Sequence, residues 1–224
     1  MYLTHQLLVT AVVSLVVPER APSQESIQLP SFNAIEIRNG AHAVLRPAQT
    51  QRVTLVKGSL DYTRIVVTGG VLVIDKCRVK CPRGYVLEVE ILTPGVSRIS
   101  FANGGWIQSQ GSFAPQTNLA ADVSHGGTID VRSMAADRVT ASVQQGGRIL
   151  TVPRGSLFAS VAQGGAITYW GDAQVKSSIQ HGGVVSKGST DEIHVPLSEL
   201  GPPLQPPPGS MHPARHKEKR LPRR

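Results

Sequence analysis

Short apolar–polar alternations, broken at regular intervals by Gly-Gly, dominate the chain between Ile99 and Lys187. The segments ISFANGGWIQS (99–109), ADVSHGGTIDV (121–131), ASVQQGGRILT (141–151), ASVAQGGAITY (159–169) and SIQHGGVVSK (178–187) are copies of one pattern. Their glycine pairs are Gly104 and Gly105, Gly126 and Gly127, Gly146 and Gly147, Gly164 and Gly165, and Gly182 and Gly183, spaced by 22, 20, 18 and 18 residues. Three positions before each pair stands Phe101, Val123, Val143, Val161 or Ile179, and two positions after it Ile107, Ile129, Ile149, Ile167 or Val185. β-Branched and aromatic residues in such short runs read as strands. A repeat of about 20 residues cannot bury its own apolar face, so the copies are expected to stack. The pattern predicts an all-β chain, a β-solenoid or parallel β-helix-like fold with a Gly-Gly corner in every coil. At about 4.8 Å per rung, five rungs make a rod of roughly 24 Å.

A polar column precedes the corners: Asn103, His125, Gln145, Gln163 and His181. It reads either as a hydrogen-bonded ladder of stacked side chains or as a linear stripe that binds a ligand. His125 and His181 fall three rungs apart, about 14 Å, too far to share a metal ion, so no metal site or cofactor is expected.

Upstream the pattern changes. SFNAIEIRNGAHAVLRP (31–47) places Ile35 and Ile37 on one face, reaches Asn39-Gly40 and continues through Ala43 and Leu45, which reads as a hairpin. QRVTLVKGS (51–59) is a further strand, and TRIVVTGGVLVIDK (63–76) turns at Gly69-Gly70. YVLEVEILTP (85–94) alternates, with Leu87, Val89 and Ile91 inward and Glu88 and Glu90 outward. These N-terminal strand hairpins are expected to cover the first end of the stack, where open strand edges otherwise invite aggregation. After Lys187 the repeat dissolves, and DEIHVPLSEL (191–200) reads as a last strand or cap.

The ends carry other signals. Residues 1–24 contain an apolar run from Leu7 to Val17, the length of a secretory signal core and too short to span a bilayer. His5 is the one side-chain cation before the run, no clean A-x-A cleavage site follows, and the competing reading is a buried strand. Residues 201–224 are Pro-rich and then Arg/Lys-rich, a composition that reads as a disordered tail. The net charge is +8, and residues 195–224 hold six cations against Glu199 and Glu218, so half of it lies there. The basic pI therefore says little about the folded part, although the tail suits an anionic lipid or glycan. The cysteines are Cys77 and Cys81. Along a straight strand they would sit about 13 Å apart against a limit near 7 Å, but a bent loop brings them within reach. A loop-pinning disulfide is expected in an oxidising compartment, with a metal or redox pair as the alternative.

The order of strands from SFNAIEIRNGAHAVLRP through VTLVKGS, GGVLVID and YVLEVEILTPGVSRISFANGG, followed by Gly-Gly coils, resembles the auto-transporter adhesin head domain family, also called the GIN domain family. The resemblance covers about residues 30–190, with Phe32-x-x-Ile35, the strand ending at Thr93-Pro94 and the polar-Gly-Gly coils as its specific parts. It implies a bacterial envelope or surface protein of β-helix-like fold, with an adhesive role and no catalytic residues. The domain boundary follows at 30–194.

No G-x-S-x-G, H-E-x-x-H, P-loop or G-x-G-x-x-G motif is present. Polysaccharide-cleaving β-helices need clustered carboxylates, and the coils offer Asp122, Asp130, Asp137 and Asp172 without a stacked pair. Asp130 beside Arg132 or Arg148 reads as a surface ion pair of little energetic weight. A non-enzymatic binding or scaffold module is the expectation, and a carbohydrate-active β-helix enzyme the alternative. Trp106, Tyr169 and Trp170 stand near corners, where they either stack on sugar rings or pack against neighbouring coils. The expected partners are envelope polysaccharide or a surface protein, with end-to-end self-assembly as a further class, and the expected location is the periplasm or cell surface.

Overall fold

The structure, a computed structural model, describes residues 25–77, 80–197 and 199. The expected signal segment 1–24 and the basic tail 201–224 lie outside the described residues. In chain order the first strands are β1 (Glu25–Ile27), β2 (Ala34–Arg38), β3 (His42–Pro47), β4 (Arg52–Lys57), β5 (Arg64–Thr68), β6 (Val71–Asp75) and β7 (Glu88–Thr93). The Gly-Gly segments then contribute a strand on each side of every corner: β8 (Arg98–Ala102) and β9 (Trp106–Ser109), β10 (Gln116–Ser124) and β11 (Thr128–Asp130), β12 (Ala136–Gln144) and β13 (Arg148–Thr151). The last two pairs are β14 (Pro153–Ala162) with β15 (Ala166–Tyr169), and β16 (Gln174–Gln180) with β17 (Val184–Lys187). A short 3₁₀ helix, Thr190–His194, follows. No helix among the described residues is long and apolar enough to cross a membrane.

The protein is all-β, with two mixed sheets. One has nine strands in the order β1-β4-β7-β3-β9-β11-β13-β15-β17, the other eight in the order β16-β14-β12-β10-β8-β2-β6-β5. At each Gly-Gly corner the chain leaves the second sheet and enters the first, and equivalent strands of successive copies pair in parallel. The register keeps Phe101, Val123, Val143, Val161 and Ile179 in one column. It keeps Ile107, Ile129, Ile149, Ile167 and Val185 in another. Each layer thus adds side chains to one continuous core between the sheets, which extends through Ile35, Ile37, Leu72, Ile74 and Ile91 at the N-terminal end. Burying each such aliphatic side chain contributes roughly 1.5–3 kcal/mol.

The expected hairpin at Asn39-Gly40 does not form. β2 pairs in parallel with β6 and β8, whereas β3 pairs in parallel with β7 and β9 in the other sheet. Asn39 and Gly40 do take the positive φ values, 60° and 75°, that an Asn-Gly hairpin needs. One further residue, the buried Ala41, carries the chain across the core before β3 begins. Ile35 and Ile37 then face Ala43 and Leu45 from opposite sheets, a packing that a two-stranded ribbon could not provide. Residues 35–45 are therefore another copy of the corner pattern, with Ala41 in place of the second glycine. β6 and β7 form a layer of the same kind, but the loop between them is long and holds the Cys77–Cys81 disulfide, with its Cα atoms 5.7 Å apart.

The turn at Gly69-Gly70 does make a hairpin, β5 pairing antiparallel with β6. β4 pairs antiparallel with β7, and β1 with β4. These strands close the N-terminal end of the core. At the other end β16 and β17 are edge strands, and Ile179, which occupies a core column, is 48% exposed. Residues 191–197 form no strand: 191–194 belong to the 3₁₀ helix, and 193–197 lie over outward positions of the first sheet as a strap.

Candidate functional site

Asn39, Asn103, His125, Gln145, Gln163 and His181 all adopt left-handed backbone, with φ between 53° and 66°. Asn and His tolerate this region better than most residues. The column is thus one of backbone geometry, and every one of its side chains is exposed. Side chains bridge its first members: Asn103 Nδ2 donates to Asn39 Oδ1 at 3.2 Å, and Asn39 Nδ2 to Asp75 Oδ1 at 2.8 Å. Farther along, backbone bonds join the corners: His125 N to Gln144 O at 3.1 Å, Gln145 N to Ala162 O at 3.0 Å, and Gln163 N to Gln180 O at 3.0 Å. His125 and His181 are not brought together.

The sequence presents the two glycines of a pair as one corner; the structure gives them different surroundings. A Cβ on the first glycine, at Gly104, Gly126, Gly146, Gly164 or Gly182, would meet nothing within 4 Å. At these positions only the positive φ, 85° at Gly164, matters. A Cβ on the second glycine would strike the preceding layer in every copy: the Ala41 carbonyl oxygen at Gly105, and the core column at the other four. Gly127 would drive it into Phe101, Gly147 into Val123, Gly165 into Val143 and Gly183 into Val161, while at Gly105 it would also meet Phe101 of its own layer. It would also lie close to the second glycine of the preceding corner: 3.3 Å from Gly105 O at Gly127, 3.0 Å from Gly127 O at Gly147, and 3.2 Å from Gly165 O at Gly183. Backbone bonds follow the same line, with Thr128 N donating to Gly105 O at 3.0 Å and Val184 N to Gly165 O at 3.0 Å. The second glycine is therefore what lets successive corners approach.

The outer face of the first sheet carries the more structured site. His42, Trp106, Thr128 and Arg148 are neighbours in one cross-strand column. The His42 and Trp106 rings stack, centroids 4.9 Å apart and planes 17° from parallel. Burial lowers the His42 pKa from its ordinary value near 6.5; Glu88 opposes the shift, while Lys76 and Lys57 reinforce it. The adjacent outward column contains Asp130 and Leu150, both buried, because the strap lies over this part of the sheet.

Arg132 fastens the strap. Its Nε and Nη2 donate to the two Asp130 carboxylate oxygens at 2.9 and 2.7 Å. Nη1 donates to the carbonyls of Glu192 at 2.7 Å and Ile193 at 3.2 Å, and Nη2 also to that of Val195 at 2.8 Å. All five guanidinium N–H groups are thereby used. The side chains of Arg132 and Asp130 are 7% and 2% exposed. The sequence reading of a weak surface pair is corrected here: the strap removes both groups from water, and neither neighbouring strand shows that covering segment. Trp170 adds a second tie. It is 3% exposed, its Nε1 donates to Ser189 O at 2.7 Å, and the Arg132 guanidinium lies 5.4 Å from its ring centre. Trp170 is an anchor for the chain beneath Gly188 and Ser189, with no open face. Tyr169 is partly buried against the core, while Trp106 is half-buried and lines a groove.

That groove, about 860 Å³, lies between the strap at Ile193–Leu197 and the sheet at Trp106, Gln108, Thr128 and Arg148. Burial, then the nearby Arg132 charge, pulls the Arg148 pKa below its ordinary value, though a guanidinium keeps its proton. Arg148 and the strap were not legible as site components, since nothing local marks a long-range crossing.

The coil carboxylates are dispersed. Asp122 pairs with Arg98 at 2.8 Å, Asp130 with Arg132 at 2.7 Å, Asp137 with Arg154 at 3.8 Å and Asp172 with Lys187 at 2.7 Å.

Two mixed sheets joined by repeated corners of left-handed backbone define an all-β repeat protein. Residues 31–149 match the family described as "Putative auto-transporter adhesin, head GIN domain", and the chain belongs to that family. Comparison with curated proteins gives no match. Among solved structures, the chain is similar to a putative adhesin from Bacteroides fragilis NCTC 9343, at 17% identity over 73% of this chain and 94% of that one, with a TM-score of 0.45. It is also similar to a putative lipid binding protein from Parabacteroides distasonis ATCC 8503, at 15% identity, 76% and 98% coverage and a TM-score of 0.31. A putative cell adhesion protein from Clostridium sporogenes ATCC 15579 shares 9% identity, with 73% and 98% coverage and a TM-score of 0.35.

Proposed function

We propose that the protein is an exported, non-enzymatic component of the bacterial envelope, an adhesin-like binding or scaffold module whose layers form a β-solenoid. The observation that carries this reading is the pairing of the coil carboxylates: Asp122, Asp130, Asp137 and Asp172 are each tied to a cation, and Glu36, which lines one surface pocket with Asp122, is tied to Arg38. Family membership supports an adhesive role. The Cys77–Cys81 disulfide and the apolar run Leu7–Val17 support export to an oxidising compartment, periplasm or cell surface.

The test is to incubate the purified protein, and a copy ending at residue 200, with immobilised envelope polysaccharides while assaying reducing ends. The expected result is retention of both forms without new reducing ends. New reducing ends that require the folded protein would replace this reading with a carbohydrate-active enzyme, and retention lost on truncation would move the contact to the basic tail.

A further inference from the structure

We propose that the corner edge of the N-terminal layers docks on an anionic lipid bilayer. Lys57, Arg64, Lys76, Lys80 and Arg83 meet the headgroup phosphates, and Val56 and Leu60 enter the interface. This names a partner for the envelope component proposed above and rests on its export.

Two loops build this edge. β4 ends at Lys57, opposite Glu88, and β5 begins at Arg64, opposite Asp75. Glu88 and Asp75 pair in turn with His42 and Arg38, the residues that flank the corner 39–41. The segment 58–63 and the loop 76–87 therefore cross between the sheets beside that corner. The Lys76 ammonium lies there, 3.9 Å from the place a Cβ on Gly40 would take. Tyr85 ties the two loops together. Its hydroxyl accepts from Ser59 N at 2.8 Å, donates to Ser59 O at 3.1 Å and lies 2.7 Å from Thr63 Oγ1. Its ring meets Tyr62 edge-on, centroids 5.5 Å apart. The Cys77–Cys81 bridge keeps Lys76 and Lys80, which adjoin it, close together.

Charge and exposure single this edge out. Arg38, Arg46, Arg98, Arg132, Arg154 and Lys187 each lie in an ion pair, whereas the five cations of the edge lie in none among the described residues. Its carboxylates are fewer. Asp61 accepts from Ser59 Oγ at 3.0 Å, Asp75 from Asn39 Nδ2 at 2.8 Å, and Glu88 faces Lys57 across the ladder. The net positive edge suits an anionic surface, where each nearby cation strengthens binding about fivefold. Val56 and Leu60 are 45% and 41% exposed. Val56 is the extra residue where the β4–β7 register shifts, so it stands outside the ladder. Apolar side chains set among cations suit a bilayer interface, which satisfies both. An acidic glycan would leave Val56 and Leu60 in water. The outer faces of the two sheets look away from this edge and stay free for a polymer.

The experiment titrates the full-length protein with vesicles of equal parts phosphatidylglycerol and phosphatidylcholine, with vesicles of phosphatidylcholine alone, and with soluble dextran sulfate. The mixed vesicles are expected to bind more than about a hundredfold more tightly than phosphatidylcholine. The triple variant Lys76→Gln, Lys80→Gln, Arg83→Gln should weaken that binding about a hundredfold. The double variant Val56→Ser, Leu60→Ser should weaken it about tenfold and leave dextran sulfate binding unchanged. The N-terminal segment and the basic tail are the same in every form, so the differences belong to the edge. Circular dichroism and urea midpoints establish that the variants are folded. Mixed-vesicle binding unchanged in both variants, or weakened by the triple variant alone, overturns the assignment; the second result would make the edge a site for soluble polyanions. If the native protein is retained on envelope polysaccharide but shows no preference for the mixed vesicles, the docking edge is wrong and the binding module stands. If it binds neither, both fail.

Discussion

A single methyl group separates the roles of the two corner glycines. Gly164→Ala adds only the strain of a left-handed alanine, about 1–2 kcal/mol. Gly165→Ala adds the same strain and drives a Cβ into Val143, for a total of about 3 kcal/mol or more. Urea denaturation of the two variants should show that ordering. Conversely, Gln163→Gly, at φ 57°, should stabilise by about 1 kcal/mol, since glycine adopts this conformation without the side-chain penalty. His42 gives a pH signature. Its pKa is lowered in the folded protein, so the unfolded chain binds the proton more readily. The associated stability is complete above the ordinary value near 6.5 and is lost as pH falls through the lower folded value. Urea midpoints should therefore decline between neutral and mildly acidic pH, and His42→Gln should flatten part of that decline. An unchanged slope would remove His42 from the account.

Among the elements, the strap depends on one buried ion pair. Arg132→Met withdraws five hydrogen bonds and leaves Asp130 buried without its partner, which costs about 3–5 kcal/mol. Release of the strap is expected to expose Trp170, seen as a red-shifted emission, and to make the chain near Ser189 sensitive to protease. The double variant Asp130→Leu with Arg132→Met should regain part of the stability, because no unpaired charge remains. Here sequence and structure diverge for a physical reason. Asp130-x-Arg132 looks like any surface pair along a strand, and only the return of residues 192–195, some 60 positions later, dehydrates it. Asn39-Gly40 misleads in a different way. Its torsions are those of a hairpin turn, yet the neighbours that fix the direction of the chain, β6 and β8, are remote in sequence. The apolar columns were legible because parallel in-register stacking repeats one local pattern. The polar column is equally visible in the sequence, but residue type alone does not reveal its left-handed backbone. Nor does the doublet Gly-Gly show which member is pressed against the layer before it, since Val143 and Gly147 reach Gly165 only through stacking.

At the scale of the molecule the two ends differ. Each end has edge strands, β1 and β5 at the first and β16 and β17 at the last, but the N-terminal end adds antiparallel strands beyond the parallel layers, whereas at the last Ile179 of the core column is 48% exposed. Repeat proteins gain stability from nearest-neighbour contacts, so amide exchange should be fastest in β16 and β17 and slowest in β8 to β12. Uniform protection through β17 would show that something covers the open end in solution. The disulfide loop lies between β6 and β7, towards the closed end, and should protect that end from fraying when oxidised.

The central claim is that the folded layers, and not the tail, contact an envelope polymer without cleaving it. The most direct measurement is amide chemical-shift mapping of the full-length protein during titration with a soluble envelope polysaccharide, with sugar resonances followed in the same tube. The account predicts shifts concentrated on the outward positions of β9, β11 and β13 and on the strap, with the polysaccharide spectrum intact. Shifts confined to residues 201–224, or growth of new anomeric end-group signals, would contradict it.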